Sequence, residues 1–553
     1  MKRLFTMLIT AQFVLAAIAS DRTSLPADFD YTAVNNYFIE CLEGQIDGMY
    51  APSAYNSDYI IDHADVASVT ARIWDEWAKA NDKFTVVDKK EQDLRRSLKA
   101  FPGNLVSYTI PQSLEPYIYE PAEPDKYAGP DAKMQYNIGT KGTPSGPLPM
   151  FILLHGSGPV TSEIANMKVV AAQGHDDPSL YFVPRIPNGI NDMFNTGINW
   201  YRWFFKSKQW VWEKVIRQAY LRSDIDNNRL YFMGVSEGAY GTQRLASFYA
   251  DYLAGVGPMA GGEPLVNAPA ENLRNIYFAI RTGQLDTTYG RSTLTAYADE
   301  YLSALQQNDP DGYAHDVTIV PGVGHDLGGD YRISHLLAER TRITNPKHVR
   351  WENYAMDGRF RSGFYNIHVI ERSESASADP DLERTYYEMD IDGNNIDMKV
   401  SVAYTVVDEW LTQYTVPLAM RLHKTYTSAT QGRFKIYLSD KLVELDKEVV
   451  LTVNGRELYR GVLQPNLADM VNSCAEFFDP ERVYAASIDV DLASMTGSGL
   501  TSGIDEISVD SGCDADAPIC YYTLQGIRLS AVPVTPGVYI SRQGSIVRKI
   551  IIR

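Results

Sequence analysis

The sequence predicts an α/β protein: a mostly parallel β-sheet with helices on both faces, followed by a β-rich accessory domain. Three observations predict it. Between about Pro111 and Thr344, short apolar runs alternate with stretches of helical periodicity, the pattern of strands joined by crossover helices. The run "PMFILLHG" is apolar without alternation, as a strand buried on both faces should be. Beyond Asn345 the pattern changes to two-residue alternation, and Asn454-Gly455 lies between two such runs as a hairpin signal.

Taken in order, the chain opens with Lys2 and Arg3, a mostly apolar run from Leu4 to Ala19, and small residues at Ala17 and Ala19. This is the layout of a secretory signal peptide over residues 1–19, with a buried N-terminal helix as the alternative. The run is shorter than the roughly 20 residues of a spanning helix, and no later segment is long and apolar enough to span a membrane. Residues 20–110 read as an N-terminal helical region. In "VASVTARIWDEWAKA", Val66, Val69, Ile73, Trp77 and Ala80 share one face.

Residues 111–344 form the expected catalytic domain. Its candidate strands are "PMFILLHG", "LYFVPR", "RLYFMG", "AGVGPM", "IYFAIRTG" and "VTIVPG", and Val211, Trp212, Val215, Ile216 and Ala219 mark a helix before the third. Residues 345–492 read as a β-rich accessory domain, and 493–520, opening on "ASMTGSGLTSG", as a linker. Residues 521–553 are a compact run of strand-like pieces.

At 553 residues the chain is too long for one ordinary core, and 45% hydrophobic with 22% charged residues is a globular composition. The formal net charge of −18 argues against a general nucleic-acid binder. The four cysteines, Cys41, Cys474, Cys513 and Cys520, allow three pairings. Cys513 and Cys520 flank a short polar loop and could close a disulfide after export; free thiols are the alternative. No Cys/His cluster has zinc spacing.

The chemistry gathers around "GVSEGAYG". Ser236 sits in Gly-x-Ser-x-Gly, directly after an apolar strand and before the helix-compatible "EGAYGTQRLASFYADYL". That is the setting of a nucleophile elbow, where flanking glycines remove side chains that would collide in a sharp turn. A serine hydroxyl needs a base, and in this architecture an acid and a histidine follow in that order. Asp286 lies in the loop after "IYFAIRTG", 50 residues on, and His325 in the loop after "VTIVPG", 39 residues further. Asp326, Asp309 and Asp311 compete for the acid role; of the other histidines, His155 suits a part in shaping the oxyanion loop, while His175, His315 and His335 lack the strand-end setting. The expected oxyanion donors are the backbone N–H of Glu237 and that of Gly156 or Ser157 in "HGSGP". Trp200, Trp203 and Arg185 are candidate substrate-binding residues; core packing for the tryptophans and a structural ion pair for the arginine are the alternatives.

Residues 111–340 resemble the α/β-hydrolase superfamily. "DIDNNRLYFMGVSEGAYG" is similar to the run through the nucleophile in secreted esterases of the feruloyl-esterase and polyhydroxyalkanoate-depolymerase kind, and "HGSGP" and "GVGHD" fall at that family's oxyanion and histidine loops. The departure is Glu237, where those esterases carry a small or apolar residue; it could deter acidic substrates or point into solvent. The tail "YYTLQGIRLSAVPVTPGVYISRQGSIVRKIIIR" resembles a type IX secretion sorting domain through "LQG", "PGVYI" and its basic end. The resemblances imply a secreted or cell-surface carboxylic ester hydrolase that needs no metal or organic cofactor. They imply acyl or feruloyl groups on plant polysaccharide as substrate and the secretion machinery as a partner of the tail. A serine peptidase of the prolyl-oligopeptidase kind and an inactive glycan-binding protein are the alternatives.

Overall fold

A computed structural model describes residues 22–47, 53–88, 104–109, 133–158, 160–174, 177–184, 203–326, 333–375, 377–500, 519–523, 528–529, 533, 537–543 and 546–552. The expected signal segment, Arg185, Trp200 and Cys513 lie outside these residues. Two helices come first, α1 (Thr32–Asp47) and α2 (Val66–Asp88). The central sheet has eight strands: β1 (Asn104–Thr109), β2 (Lys133–Lys141), β3 (Leu148–Leu154), β4 (Ser179–Pro184), β5 (Ile225–Val235), β6 (Gly255–Met259), β7 (Tyr277–Gly283) and β8 (His315–Val320). Their order is β8-β7-β6-β5-β3-β4-β2-β1. From β8 to β4 all neighbours are parallel; β2 and β1 add antiparallel at one edge.

The reason β3 is apolar without alternation is now visible. Met150, Ile152 and Leu154 join a core on one face, and Phe151 and Leu153 join a second core on the other. Helices α3 (Val160–Gln173) and α4 (Lys206–Tyr220) follow β3 and β4; α5 (Glu237–Tyr249), α6 (Arg291–Asn308) and the short α7 (Ile333–Ala338) complete the layers. The chain leaves β3 for β4 on one side and returns to β5 on the other. This reversal opens a crevice beyond the carboxyl ends of β3 and β5, where α/β sheets hold their ligands.

The accessory region contains two further antiparallel-rich sheets and the helix α8 (Leu467–Phe477). Asn454 and Gly455, both at positive φ, turn Glu448–Val453 into Arg456–Val462. A four-stranded sheet is built from Ile519–Thr523, Arg528–Leu529, Gly537–Gln543 and Ile546–Ile552. Among the described residues no helix is long and apolar enough to cross a membrane. Cys41 and Cys474 are buried free thiols, and burial pushes the Cys41 thiol up to about 12.

Two boundaries differ from expectation. The sheet begins at Asn104, inside the region expected to be helical, because β1 pairs along the whole of its length with β2. The N-terminal helices pack between two parts of the molecule: on α8, where the Tyr37 hydroxyl donates to Asn472 Oδ1 (3.0 Å) and the Tyr55 N–H does so at 2.8 Å, and on α4, where Arg217 donates to Asn81 Oδ1 of α2. The first residues of the expected linker are strand: Thr496–Gly499 pairs with Ala486–Asp491. Glycine and serine in "TGSG" are compatible with a short edge strand whose ladder is made by backbone alone.

Charge buried in a shared core joins the eight-stranded sheet to the accessory region. Asp251, just after α5, accepts from Arg361 and, at 2.7 Å, from Arg482. Asp479 accepts from Arg482 at 2.7 Å and from Arg342. Burial pushes the Asp479 carboxyl up, but Arg342 and Arg482 outweigh it and hold it at about 2. A depressed carboxyl contributes stability above its unfolded pKa of about 3.9 and loses it as pH falls towards the folded value. We therefore expect the thermal midpoint to be flat from pH 5 to 7 and to fall between pH 4 and 2. Asp479→Asn should cost about 3–5 kcal/mol in urea denaturation and make the acid limb shallower. An unchanged acid limb in that variant would remove Asp479 as its source.

Candidate active site

Ser236 lies between β5 and α5 at φ 55° and ψ −114°, a conformation a non-glycine residue adopts only when its surroundings impose it. The surroundings are backbone. A Cβ on Gly234 would lie 2.2 Å from the Gly238 carbonyl oxygen, and one on Gly238 would lie 2.1 Å from that of Leu154. The Ser236 N–H donates to Met259 O (2.9 Å), and the Ser236 carbonyl accepts from Ala239 and Tyr240 N–H. Both glycines of the motif are thus required by contact with neighbouring main chain, and the serine side chain is left half-buried at the crevice.

The acid and the histidine arrive on the loops that follow β7 and β8. The His325 Nε2 is 3.0 Å from Ser236 Oγ, and its Nδ1 is 2.7 Å from Asp286 Oδ2. With Nδ1 protonated toward the carboxylate, Nε2 is an acceptor for the serine proton. Asp286 is buried, whereas 44% of the His325 side chain is exposed. The structure thus brings Ser236, Asp286 and His325 into one line. Of the competing acids, Asp309 is paired with Arg274 at 2.6 Å, and it is Asp286 that His325 Nδ1 faces.

Two partners of this line are invisible in the motif. Arg291, the first residue of α6, donates from Nη1 to Asp286 Oδ1 (3.0 Å) and from Nε to the Tyr240 hydroxyl (2.6 Å). Burial works against its charge, but Tyr240 and Asp286 outweigh it and raise its pKa. Asp286 is therefore clamped on one oxygen and offers the other to His325, while Tyr240 ties the clamp to the helix that begins after Ser236.

The oxyanion loop needs a correction. Glu237 follows the serine in the chain, and a Cβ on Gly156 would sit 3.3 Å from Ser236 Cβ, with Ser157 the next residue of that loop. The Gly156 N–H, however, donates to Glu163 Oε2 at 3.0 Å. Glu163 stands in the first turn of α3, where a carboxylate suits the helix N-terminus. Its other oxygen fills the place of a Gly158 side chain, 2.3 Å from the Cβ position. Gly156 is therefore committed to holding the loop. Ser157 is half-buried at the loop's tip. Glu237 is buried, so its side chain does not point into solvent.

Trp203 is a second correction. It is fully buried, its Nε1 donates to the His155 carbonyl (3.1 Å), and its ring meets His155 edge-on at 4.9 Å. A Cβ on Gly241 would lie 2.6 Å from Trp203 Cβ. The indole supports the oxyanion loop from beneath instead of lining a pocket. Among the described residues no group of three or more His, Cys, Asp or Glu side chains is placed to hold a metal ion.

The sheet, the strained serine turn and the serine–acid–histidine order fit the α/β-hydrolase architecture. No protein-family model matches the chain, and no curated protein sequence does. Among solved structures, a thermostable esterase is 17% identical, with 44% of this chain and 64% of that one covered and a TM-score of 0.29. The feruloyl esterase module from Clostridium thermocellum, complexed with sinapinate, is 18% identical over 44% of this chain and 88% of that one, with a TM-score of 0.27. A chain described as a dipeptidyl aminopeptidase IV from Bacteroides ovatus is 15% identical over 42% and 34%, with a TM-score of 0.31. This chain thus spans less than two thirds of the first and about a third of the last.

The local geometry generates its own test. Gly238→Ala should destabilise the protein by about 3 kcal/mol, the upper end for overpacking, because the obstacle is a backbone carbonyl that has no rotamer to yield. A variant as stable in urea as the parent would show that the turn relaxes.

Proposed function

We propose that the protein is a serine hydrolase that cleaves carboxylic esters through an acyl-enzyme. The observation that carries this reading is the single hydrogen-bonded line from Ser236 through His325 to Asp286. Ser236 Oγ attacks the ester carbonyl as His325 Nε2 takes its proton. The tetrahedral oxyanion forms against the backbone N–H groups of Ser157 and Glu237. As the C–O bond breaks, His325 returns the proton to the departing alcohol; water, activated in the same way, then releases the acid. Asp286 holds the imidazole tautomer and stabilises the imidazolium throughout.

Acyl or feruloyl groups on plant polysaccharide are the proposed substrate class, resting on the resemblance around "DIDNNRLYFMGVSEGAYG". Export to the outside or the cell surface is likewise a proposal; its support is the residue pattern of segments 1–19 and 521–553.

The deciding experiment compares the protein with Ser236→Ala on p-nitrophenyl acetate, methyl ferulate and a proline p-nitroanilide peptide. We expect ester turnover that the substitution abolishes. Cleavage of the peptide but neither ester would overturn the ester reading in favour of a peptidase. Absence of all turnover in folded protein would favour a glycan-binding protein.

Two further substitutions probe the support of the line. Asp286→Asn should lower kcat by about 10³–10⁴ with the fold intact, because the amide favours the wrong tautomer. Glu163→Ala should lower kcat about tenfold with little change in KM, by freeing the loop that presents Ser157; one oxyanion donor is worth about 10²–10³ in rate, so a misplaced one loses part of that. Glu163→Gln, which can still accept from Gly156, should recover most of the rate. Equal losses in both Glu163 variants would point to the charge instead of the acceptor.

A further inference from the structure

The accessory region contributes a long ribbon to the catalytic face. Strand β9 (Asn395–Leu411) runs for 17 residues, and β10 (Leu418–Ser428) returns beside it. The strand Glu383–Asp392 accompanies β9 only as far as Tyr404. Beyond that point β9 and β10 continue as two strands alone, with register shifts between Val407 and Trp410. Such a pair is marginal without packing, and bulges strengthen its twist and re-aim its side chains.

Its packing partner is the acid loop and helix α6. The Tyr297 hydroxyl donates to Leu422 O at 2.7 Å, and Arg421 pairs with Glu300 at 2.8 Å. At the tip, the Tyr289 N–H donates to the Tyr414 hydroxyl at 2.7 Å, and the two rings lie 4.5 Å apart. A Cβ on Gly290 would lie 2.6 Å from Met420 Cε. Tyr289 itself is held at φ 56°, a strained setting for a tyrosine, three residues after Asp286. Because β5 and β7 are connected through parallel neighbours, the loop after β7 and the serine after β5 share one edge of the sheet. The ribbon tip therefore stands at the catalytic edge.

That tip is apolar and exposed. Leu285 is 62% exposed, Tyr289 41%, Trp410 52% and Val416 70%, and they come from the acid loop and the ribbon together. The charges around them are paired. Asp408 pairs with His423, Glu409 and Glu300 share Arg421, and Arg291, bound to Asp286, lies 5.2 Å over the Tyr289 ring.

We propose that Leu285, Tyr289, Trp410 and Val416 form a distal wall of the substrate cleft, lent by the accessory region, which takes an uncharged apolar group of the ester beyond the scissile bond. The inference rests on the hydrolase reading and adds a specificity site to it. Continuity with the triad loop argues for substrate as the occupant: the same residues that place Asp286 carry the exposed Leu285 and Tyr289. A charged group on this wall would lose its water, while the cations near it, Arg421, His423 and Arg291, are already held by carboxylates.

The test uses methyl acetate, methyl 3-phenylpropanoate and monomethyl succinate as substrates for the full chain and for Trp410→Ala/Val416→Ser. Both side chains are half exposed or more, so the double variant is expected to fold. The parent should prefer the phenylpropanoate and reject the succinate. The variant should lose at least about tenfold in the kcat/KM ratio of phenylpropanoate to acetate, mainly through KM, as expected for losing one well-buried apolar contact. A ratio within twofold of the parent overturns the wall and leaves the hydrolase reading standing. Binding of methyl 3-phenylpropanoate to Ser236→Ala, followed by tryptophan fluorescence, separates the two claims. Affinity that drops with the ribbon substitutions supports the wall even if no ester is turned over, and affinity that does not move overturns it.

Discussion

The site depends on one backbone constraint: the turn at Ser236, where β5 must reverse into α5 while touching the end of β3. The two carbonyls that forbid side chains at positions 234 and 238 belong to that contact. Once the strand and helix meet this closely, the serine has no regular conformation open to it and adopts φ 55°. Its hydroxyl then projects over the crevice where the strand order reverses. The strain is local and is held by the Met259 hydrogen bond and by the two helix bonds to the Ser236 carbonyl.

Around this turn, Asp286 and the loop after β3 are each fastened by a charged residue. Arg291 takes one oxygen of Asp286 and so orients the other toward His325. Glu163 takes the Gly156 N–H and fills the space over Gly158. Tyr240 links the first of these to the nucleophile helix, and Trp203 braces the oxyanion loop from the opposite side. Preorganisation here comes from hydrogen bonds made before any ligand arrives, the arrangement that makes electrostatic stabilisation effective.

The accessory region is bound into the same body. The Arg361–Asp251–Arg482–Asp479–Arg342 network is buried and crosses from the sheet layer to the β-rich part. A second buried group joins Lys424 on the ribbon to Glu271 and Glu352 at 2.7 Å and a still shorter contact. Paired charges of this kind contribute little net stability over an apolar core, but an unpaired one is costly, so each fixes how the two parts can meet. The ribbon is consequently held in register against the acid loop.

Much of the site was legible in the chain because its signals are local. An apolar run, a Gly-x-Ser-x-Gly, and aspartate and histidine each placed just after a strand identify Ser236, Asp286 and His325 without any knowledge of distance. The alternation after Asn345 and the Asn454-Gly455 turn likewise announced β-structure from short-range stereochemistry. What was not legible depends on neighbours far apart in sequence. "TGSG" reads as a linker because an edge strand needs only backbone from its partner, and β1 hides in a region judged by its helical neighbours. Trp203 looks like a pocket residue until the Gly241 contact buries it, and Gly156 looks like a free donor until Glu163 takes its N–H. The sequence by itself determined the class of fold and the positions of Ser236, Asp286 and His325 at strand ends, since periodicity and turn chemistry act over a few residues. Only the tertiary structure decided that Glu163 takes the Gly156 N–H, that Arg291 clamps Asp286, and that the accessory ribbon reaches the loop of Asp286, since these follow from packing between segments that no local pattern encodes.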